Sequence, residues 1–325
     1  MWSKIQSDWP VYLLAFVVVL VIAFKISTNH PEKSLIAVKD SNWRAPSLYL
    51  DPIQNKQERE LISYGKELIT HTANYLGPNG SVKQISNGMN CQNCHLDAGT
   101  KPNGFNFSAV AANYPLFRDR SGAVESIYKR VSDCFERSLN GRAPDSTSRE
   151  YQAIHAYILW LGKDVAKNTH PKGFGIKKPD YLQRAADPDK GKKVYAIHCE
   201  RCHGANGEGQ TIPENAGYIY PPLWGKNSYN TGAGLYRLSN FAGFIQSNMP
   251  FNEVSAHNKL TDEEAWDIAA YVNSQPRPIM KESHDWPDIS KKPIDHPFGP
   301  YADSFSEQQH KYGPFLPILF AREKN

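Results

Sequence analysis

Residues 91–95 read Cys-Gln-Asn-Cys-His, and residues 199–203 read Cys-Glu-Arg-Cys-His. Cys-x-x-Cys-His is the attachment signature of a c-type haem, in which two thiols bond to the porphyrin and the histidine ligates the iron. A single string would also suit half of a zinc site, but no second cysteine pair lies at zinc-finger spacing. The sequence therefore predicts two covalently bound haem c groups. Their attachment residues are Cys91, Cys94, His95, Cys199, Cys202 and His203, with the two histidines as iron ligands.

The sequence around the two strings repeats as well. Tyr-Gly-Lys at 64–66 precedes the first string, and Lys-Gly-Lys at 190–192 precedes the second. Apolar residues at helical spacing follow each string, over 151–161 and 265–272. The second of these patterns starts with a capping box at 261–264, Thr-Asp-Glu-Glu. One helix before each string, packed on one after it, is a minimal c-type cytochrome core. The predicted fold is mainly α, with two such domains in tandem.

The chain has 325 residues, enough for two domains of ordinary size. We predict that residues 56–165 form the first cytochrome domain, with the catalytic haem, and residues 180–277 the second, with an electron-transfer haem. Residues 166–179 form a linker between them. The tail, residues 278–325, is Pro-rich and irregular, and its many aromatic residues predict that it lies extended across both domains. The formal net charge of +4 is small and evenly interleaved, which excludes a nucleic-acid binder.

The N-terminus carries an apolar run from Val11 to Phe24 between Lys4 and Lys25. This run is short for a membrane span of about 20 residues and typical of a signal-peptide core. No clear cleavage site of small residues follows it. We therefore predict that residues 1–26 are an export signal that can stay as a membrane anchor, followed by a polar linker over residues 27–55. Either role places the folded domains in the periplasm, free or tethered to the inner membrane.

The residue that fills the sixth iron position separates an electron carrier from a catalyst. In the second domain the predicted ligand is Met249, which is followed by Pro250 and lies some tens of residues after the haem string. A thioether ligand raises the reduction potential of a haem and closes its iron to substrate. The alternative is a core methionine that fills a gap.

The first domain has no methionine at the matching place. Met249 precedes Tyr271 by 22 residues, and a step of 23 residues back from the equivalent Tyr157 reaches Cys134. Cys134 is the one cysteine that the haem strings leave over. Competing ligands are His155 and His71, and an inert buried thiol is the plain alternative. A thiolate ligand would lower the potential of this haem and place a sulfur nucleophile beside it.

The segment around Cys134 is basic. Its cationic residues are Arg118, Arg120, Lys129, Arg130, Arg137 and Arg142. Guanidinium groups hold oxyanions through paired hydrogen bonds, so some of these arginines suit a sulfonate group. Others suit haem propionates or an ordinary solvated helix face. Ser138 lies one helical turn after Cys134 and can add a hydroxyl donor on the same face.

The chain resembles the dihaem c-type thiosulfate dehydrogenases, also called tetrathionate reductases. The resemblance covers nearly all of the chain after residue 55. The matching stretches are residues 90–100, 134–141, 223–225, 228–234, 248–250, 297–301 and 309–315. Some members of the family have a lysine before the methionine ligand of the second haem. This chain has Asn248 there, which places a ligand exchange between those two residues in doubt.

The resemblance implies that Cys134 is the sulfur ligand of the first haem and that two thiosulfates are interconverted with one tetrathionate and two electrons. We expect Arg120 and Arg130 to attract the dianion, with Ser138 as a further catalytic residue. A small redox partner, a cytochrome or a quinol-linked protein, would exchange electrons with the second haem. The alternatives are a dihaem electron carrier without catalysis, and a carrier cytochrome that conjugates sulfur to a separate protein.

Overall fold

Each haem-attachment string lies between the two helices of a packed pair. The computed structural model describes residues 43–213, 217–255, 258–281 and 284–324. In the first half the elements are α1 (Lys56–Thr70), α2 (Thr72–Leu76), α3 (Leu96–Gly99), α4 (Val110–Asn113), β1 (Leu116–Arg118), β2 (Ala123–Glu125), α5 (Ile127–Asp133) and α6 (Arg149–Leu161). A 3-10 turn at Cys91–Asn93 and a π-helical turn at Cys134–Ser138 complete this half.

The second half continues in the same way. Its elements are α7 (Pro188–His198), α8 (Glu200–His203), β3 (Gln210–Thr211), β4 (Tyr218–Tyr220), α9 (Leu238–Asn248), α10 (Asp262–Ser274), α11 (Glu307–Tyr312) and α12 (Leu316–Glu323), with 3-10 turns at Gly234–Tyr236 and Ile289–Lys291. The strands β1 and β2 form one antiparallel hairpin, and β3 and β4 form another. The mainly helical class that the sequence predicts is confirmed.

Side-chain caps fix where four of the five long helices of the described chain begin. Asn55, Ser148 and Asp187 accept hydrogen bonds from the first-turn amides of α1, α6 and α7. Thr261 accepts from the Glu264 amide at 3.2 Å, and the Glu264 carboxylate accepts from the Thr261 amide at 2.9 Å. The predicted capping box of α10 is therefore present. Such caps satisfy amides that have no partner within the helix.

A glycine brings the two helices of each pair into backbone contact. A Cβ added to Gly65 of α1 would lie 2.0 Å from the Ala153 carbonyl oxygen of α6. A Cβ added to Gly191 of α7 would lie 1.9 Å from the Asp267 carbonyl oxygen of α10. Only a residue without a side chain fits at either crossing. The repeated glycine in the sequence thus marks the same helix crossing twice.

Two apolar cores lie beneath these crossings. The first buries Leu68, Ile154 and Tyr157, and the second is built around Trp266 and Ile268. The second core also takes in Leu96 of the first half, with Cys94 and Phe105 packed against it. Residues Asp40–Asn325 accordingly form one compact unit. The residue limits predicted for the domains and linkers stay predictions.

The tail contacts both halves of the chain. The Trp286 amide donates to the Arg120 carbonyl oxygen in the first half at 2.6 Å, and the buried Asp295 accepts from Arg237 in the second. The tail also differs from the expectation of an extended segment, because it ends in α11 and α12. Ser306 caps α11, and α12 buries Ile318 in the second core. Burial of Ile318 stabilises α12, a helix that the high proline content of the tail does not predict.

The predicted anchor, residues 1–26, and residues 27–42 of the predicted linker lie outside the described residues. Within the ranges that are described, no helix has the length and apolar character needed to cross a membrane.

Candidate haem sites and active site

The first attachment string is held by the short helix α2. The Asn90 side chain accepts from the Ala73 amide at 2.8 Å, and the Thr72 hydroxyl accepts from the Cys91 amide at 2.9 Å. Within the string, the His95 amide donates to the Cys91 carbonyl oxygen at 2.9 Å. This hydrogen bond closes a helical turn that holds the histidine of the string next to its two cysteines.

The imidazole of His95 is prepared for ligation through one of its nitrogens. Its Nδ1 lies 2.6 Å from the Phe105 carbonyl oxygen, which can only accept, so Nδ1 carries the proton and Nε2 keeps a free lone pair. Burial lowers the pKa of His95 to about 4, and the charge of Arg130 acts in the same direction, against the hydrogen bond to Phe105. The ring is neutral at pH 7, which is the state that binds iron.

The second string repeats this arrangement. The Cys202 and His203 amides donate to the Cys199 carbonyl oxygen at 3.1 and 2.9 Å. The Nδ1 of His203 lies 2.8 Å from the Pro221 carbonyl oxygen, so its Nε2 is also left free. Burial lowers the pKa of His203. The two strings therefore present the same donors, two thiols and one neutral imidazole.

A cavity of about 530 Å³ surrounds the second string. It is lined by Cys199, Cys202, His203 and Met249, which brings the predicted thioether ligand into the same space as the histidine. Its volume lies within the usual range of about 300–1,000 Å³ for cofactor sites. The wall includes residues of the first string, Cys94 among them. Shape and donors both fit a covalently attached haem c.

Two side chains have buried hydrogen-bond donors that find no partner among the described residues. Nε and Nη1 of Arg277 are buried without a hydrogen-bond partner. The guanidinium stacks over the rings of Tyr229 and Tyr236, at 4.3 and 5.1 Å from their centres. Nε1 of Trp286 is likewise buried and unpartnered. Buried polar groups normally have partners, so a propionate at either position would complete this structure.

Cys134 begins the π-helical turn, and its sulfur interacts with the two thiols of the first string. The Leu139 amide reaches back five residues to the Cys134 carbonyl oxygen at 2.9 Å, the bond that defines such a turn. Burial raises the pKa of the Cys94 thiol to about 12, and the nearby Cys134 sulfur is the second cause. It also contributes to the raised pKa of Cys91. The structure thus places the leftover cysteine beside the haem-attachment thiols.

The other two candidate ligands of the first haem, His155 and His71, make different contacts. The His155 ring stacks on the Tyr128 ring, with centres 4.2 Å apart. The His71 side chain is 44% exposed and lies 4.0 Å from the Glu67 carboxylate.

Three of the predicted basic residues, Arg120, Arg130 and Arg137, lie near one another, but only Arg130 also interacts with Cys134. The pKa of Arg130 is raised first by its interaction with the neighbouring Cys134 side chain, and no salt bridge of Arg130 occurs across the described part of the chain. Arg120 donates to the buried Asp133 at 2.6 Å. Burial, then the charges of Arg137 and Arg130, lowers the pKa of Arg120. Arg130 is therefore the cation best placed to accept an external anion.

The remaining predicted residues have simpler settings. Ser138 closes the π-helical turn and is half-buried. Arg118 ends β1, Lys129 binds Asp133, and Arg142 is exposed.

Sequence reasoning missed two acidic residues of this region. Glu125 of β2 is 3% exposed, both of its carboxylate oxygens lack a hydrogen-bond partner, and it interacts electrostatically with Arg130. Asp285 in the tail binds Arg137 through two hydrogen bonds of 2.8 Å. A strand of three residues gives no periodicity that would reveal the burial of Glu125. Asp285 is 148 residues from its partner, so only the tertiary fold reveals the pair.

Comparisons with known proteins match both halves of the chain. The family described as SoxA/TsdA, cytochrome c domain, matches residues 81–165, and the family described as cytochrome c matches residues 188–276. The thiosulfate dehydrogenase of Stutzerimonas stutzeri is 36% identical over 71% of this chain and 73% of its own length. That of Allochromatium vinosum is 39% identical over 61% of this chain and 73% of its own length.

A solved structure gives the same picture. The thiosulfate dehydrogenase (TsdBA) of Marichromatium purpuratum, in its as-isolated form, aligns with a TM-score of 0.65 at 32% identity. The alignment covers 72% of this chain and 49% of that one, so the chain spans about half the length of that protein. With two cytochrome c domains and two covalently bound haem c groups, this chain is an enzyme that belongs to the thiosulfate dehydrogenase family.

Proposed function

We propose that this protein interconverts two thiosulfates with one tetrathionate and two electrons, and that Cys134 is both the sulfur ligand of the first haem and the reactive sulfur. The observation that carries the proposal is the position of the Cys134 thiol, which lies beside Cys91 and Cys94 and next to Arg130, a cation that forms no salt bridge with any described residue. The thiosulfate dehydrogenases among its relatives support the substrate.

The residues suggest how the substrate is held. The guanidinium of Arg130 binds the sulfonate oxygens of one thiosulfate, because its fork of donors matches two oxygens at once. This contact leaves the outer sulfur free to approach the Cys134 sulfur. Arg120 raises the local positive charge while Asp133 fixes its position, and the Ser138 hydroxyl provides a further donor. Each bound haem c supplies or accepts one electron.

The bond changes balance in two steps. In the first, the Cys134 thiolate and the outer sulfur of thiosulfate form an S–S bond, which yields a Cys–S–S–sulfonate adduct and releases two electrons. In the second, the outer sulfur of another thiosulfate attacks the sulfur bonded to Cys134. A new S–S bond forms in tetrathionate, the bond to Cys134 breaks, and the thiolate is restored. The second step is a thiol–disulfide exchange, and the reverse sequence reduces tetrathionate.

The second domain is proposed to exchange electrons with a small redox partner, with Met249 as the second iron ligand. Cys94 of the first string lies in the wall of the second haem cavity, so the path between the two sites is short. The periplasm is the proposed location, in keeping with cytochrome c domains. Retention of residues 1–26 as a membrane anchor stays a prediction.

The test replaces Cys134 by glycine. We expect both haems to remain covalently attached, because Cys91, Cys94, Cys199 and Cys202 are untouched. Turnover should be lost in two assays, thiosulfate with ferricyanide and tetrathionate with reduced viologen. Retained turnover in this variant would refute the role of Cys134. A wild-type protein that is inactive in both assays would instead indicate a dihaem electron carrier.

A further inference from the structure

Arg137 connects the π-helical turn of Cys134 to the tail. Its side chain lies three residues after Cys134, is 8% exposed, and donates to both carboxylate oxygens of Asp285 at 2.8 Å. Nη1 also lies 3.3 Å from the Gly232 carbonyl oxygen. A paired arginine–carboxylate contact fixes the direction of both groups as well as their distance. The tail therefore determines where this part of the turn lies.

A second contact holds the same turn from the second half of the chain. The Asn230 amide donates to the Arg137 carbonyl oxygen at 3.1 Å, and the Asn230 side chain donates to the Glu136 carbonyl oxygen at 2.8 Å. The residue after Asp285 also takes part, since the Trp286 amide donates to the Arg120 carbonyl oxygen. The segment that carries Cys134 is thus anchored by groups outside the first domain.

This anchoring matters because a π-helical turn is rare and poorly stabilised by itself. A π-helical turn contains one residue more than an α-helical turn, so contacts with other parts of the protein must hold it in place. A sulfur that has to meet both an iron and a substrate sulfur tolerates little displacement, and an error of about 1 Å can cost about 100-fold in rate. Among the contacts described above, the Arg137–Asp285 pair is the one between two charged side chains, which are 9% and 12% exposed and joined by two parallel hydrogen bonds.

We propose that Asp285 is a positioning residue that, through Arg137, fixes the Cys134 sulfur at the first haem. This inference rests on the proposed function of Cys134. Asp285 touches neither substrate nor haem in this role. It acts by preventing the π-helical turn from rearranging, and its partner side chain transmits that constraint to Cys134.

The experiment compares Asp285→Asn with Asp267→Asn in the full-length holoprotein. Asp267 is a matched control, since it binds Arg184 through two bonds of 2.8 and 2.9 Å and lies in the second half. We expect Asp285→Asn to lower kcat by about 10- to 100-fold while KM changes by less than about two-fold. The ferric signature of a thiolate-bound haem should also change, with the second haem unaltered. Amide hydrogen exchange should accelerate in residues 134–139.

Asp285→Glu keeps the charge and should retain most of the wild-type rate and spectrum. This variant also keeps the proposal testable if Asp285→Asn folds poorly. Asp267→Asn should leave kcat, the thiolate signature and exchange in residues 134–139 unchanged. The proposal is overturned if Asp285→Asn keeps the wild-type signature and exchange, or if Asp267→Asn produces the same changes. The ferric signature and the amide hydrogen exchange do not depend on turnover. They therefore test the role of Asp285 separately from the proposed reaction, which is tested by the assays on the wild-type protein.

Discussion

Gly65 and Ala153 lie so close that a Cβ on the glycine would be 2.0 Å from the alanine carbonyl oxygen. Gly65→Ala must therefore separate α1 from α6, and overpacking of this kind typically costs about 1–3 kcal/mol of unfolding free energy. Thermal unfolding of the holoprotein measures the effect. Gly234→Ala is the control, since no atom lies within 4 Å of its added Cβ. Equal melting temperatures for the two variants would contradict the proposed crossing.

Arg130 provides a test of how the substrate is bound. Hydrogen bonds to a charged group contribute about 1.5–3 kcal/mol, so Arg130→Ala should lower kcat/KM for thiosulfate by roughly 10- to 100-fold. Arg130→Lys should recover only part of this, because an ammonium group lacks the planar fork. Steady-state kinetics at fixed ionic strength measures the change. Arg142→Ala, at an exposed arginine of the same segment, should have little effect. An equal loss in that variant would assign the effect to net charge alone.

Met249 and Met89 line the same cavity, which allows a matched pair of substitutions. Loss of a thioether ligand lowers the reduction potential of a haem. Met249→Leu should therefore lower the potential of the second haem, whereas Met89→Leu should leave it close to the wild-type value. Spectroelectrochemical titration resolves the two haems. If both variants titrate as the wild type does, Met249 fills space and does not bind iron.

Asp295 gives the fold a defined pH dependence. Burial alone would raise its pKa, but the charge of Arg237 and the Ser239 hydrogen bond lower it from 3.8 to about 2. A lowered pKa stabilises the folded state above pH 4, and this contribution is lost as the pH falls from about 4 to about 2. The difference corresponds to about 2 kcal/mol.

Asp295→Asn should therefore lower the melting temperature at pH 7 and remove this part of the acid dependence. Asp164→Asn, at an exposed residue, should leave the pH profile unchanged. Chemical denaturation at several pH values between 2 and 7 measures both variants. An unaltered acid limb in Asp295→Asn would contradict the assignment.

The local parts of this structure could be predicted from the sequence. The attachment strings, the helices beside them and the Thr261 cap depend on residues a few positions apart, so their pattern is visible in the chain. The internal repeat also pointed to Cys134, and its sulfur lies near those of Cys91 and Cys94, while its role as a ligand stays a prediction. The same reasoning indicated Met249, and the structure brings it into the cavity of the second string.

The parts that were missed depend on contacts between distant segments. Asp133 pairs with Arg120 and Asp285 pairs with Arg137, and neither pairing follows from the spacing of these residues in the sequence. The π-helical turn also gives no recognisable pattern in the sequence, because a helical turn with one extra residue has the same kind of sequence as an ordinary helical turn. Helix α12 was missed because its stability comes from burying Ile318 in the second core.

The wall that the first string contributes to the second haem cavity limits how the protein can be divided. A fragment that begins after residue 165 would lack Met89, Cys94 and Leu96, which line that cavity. The cavity would then be open on the side that these residues line in the intact chain. The two halves look like interchangeable modules in sequence, yet the second cannot be transplanted as a working cytochrome without part of the first. Natural or engineered fusions should therefore keep residues 43–324 together.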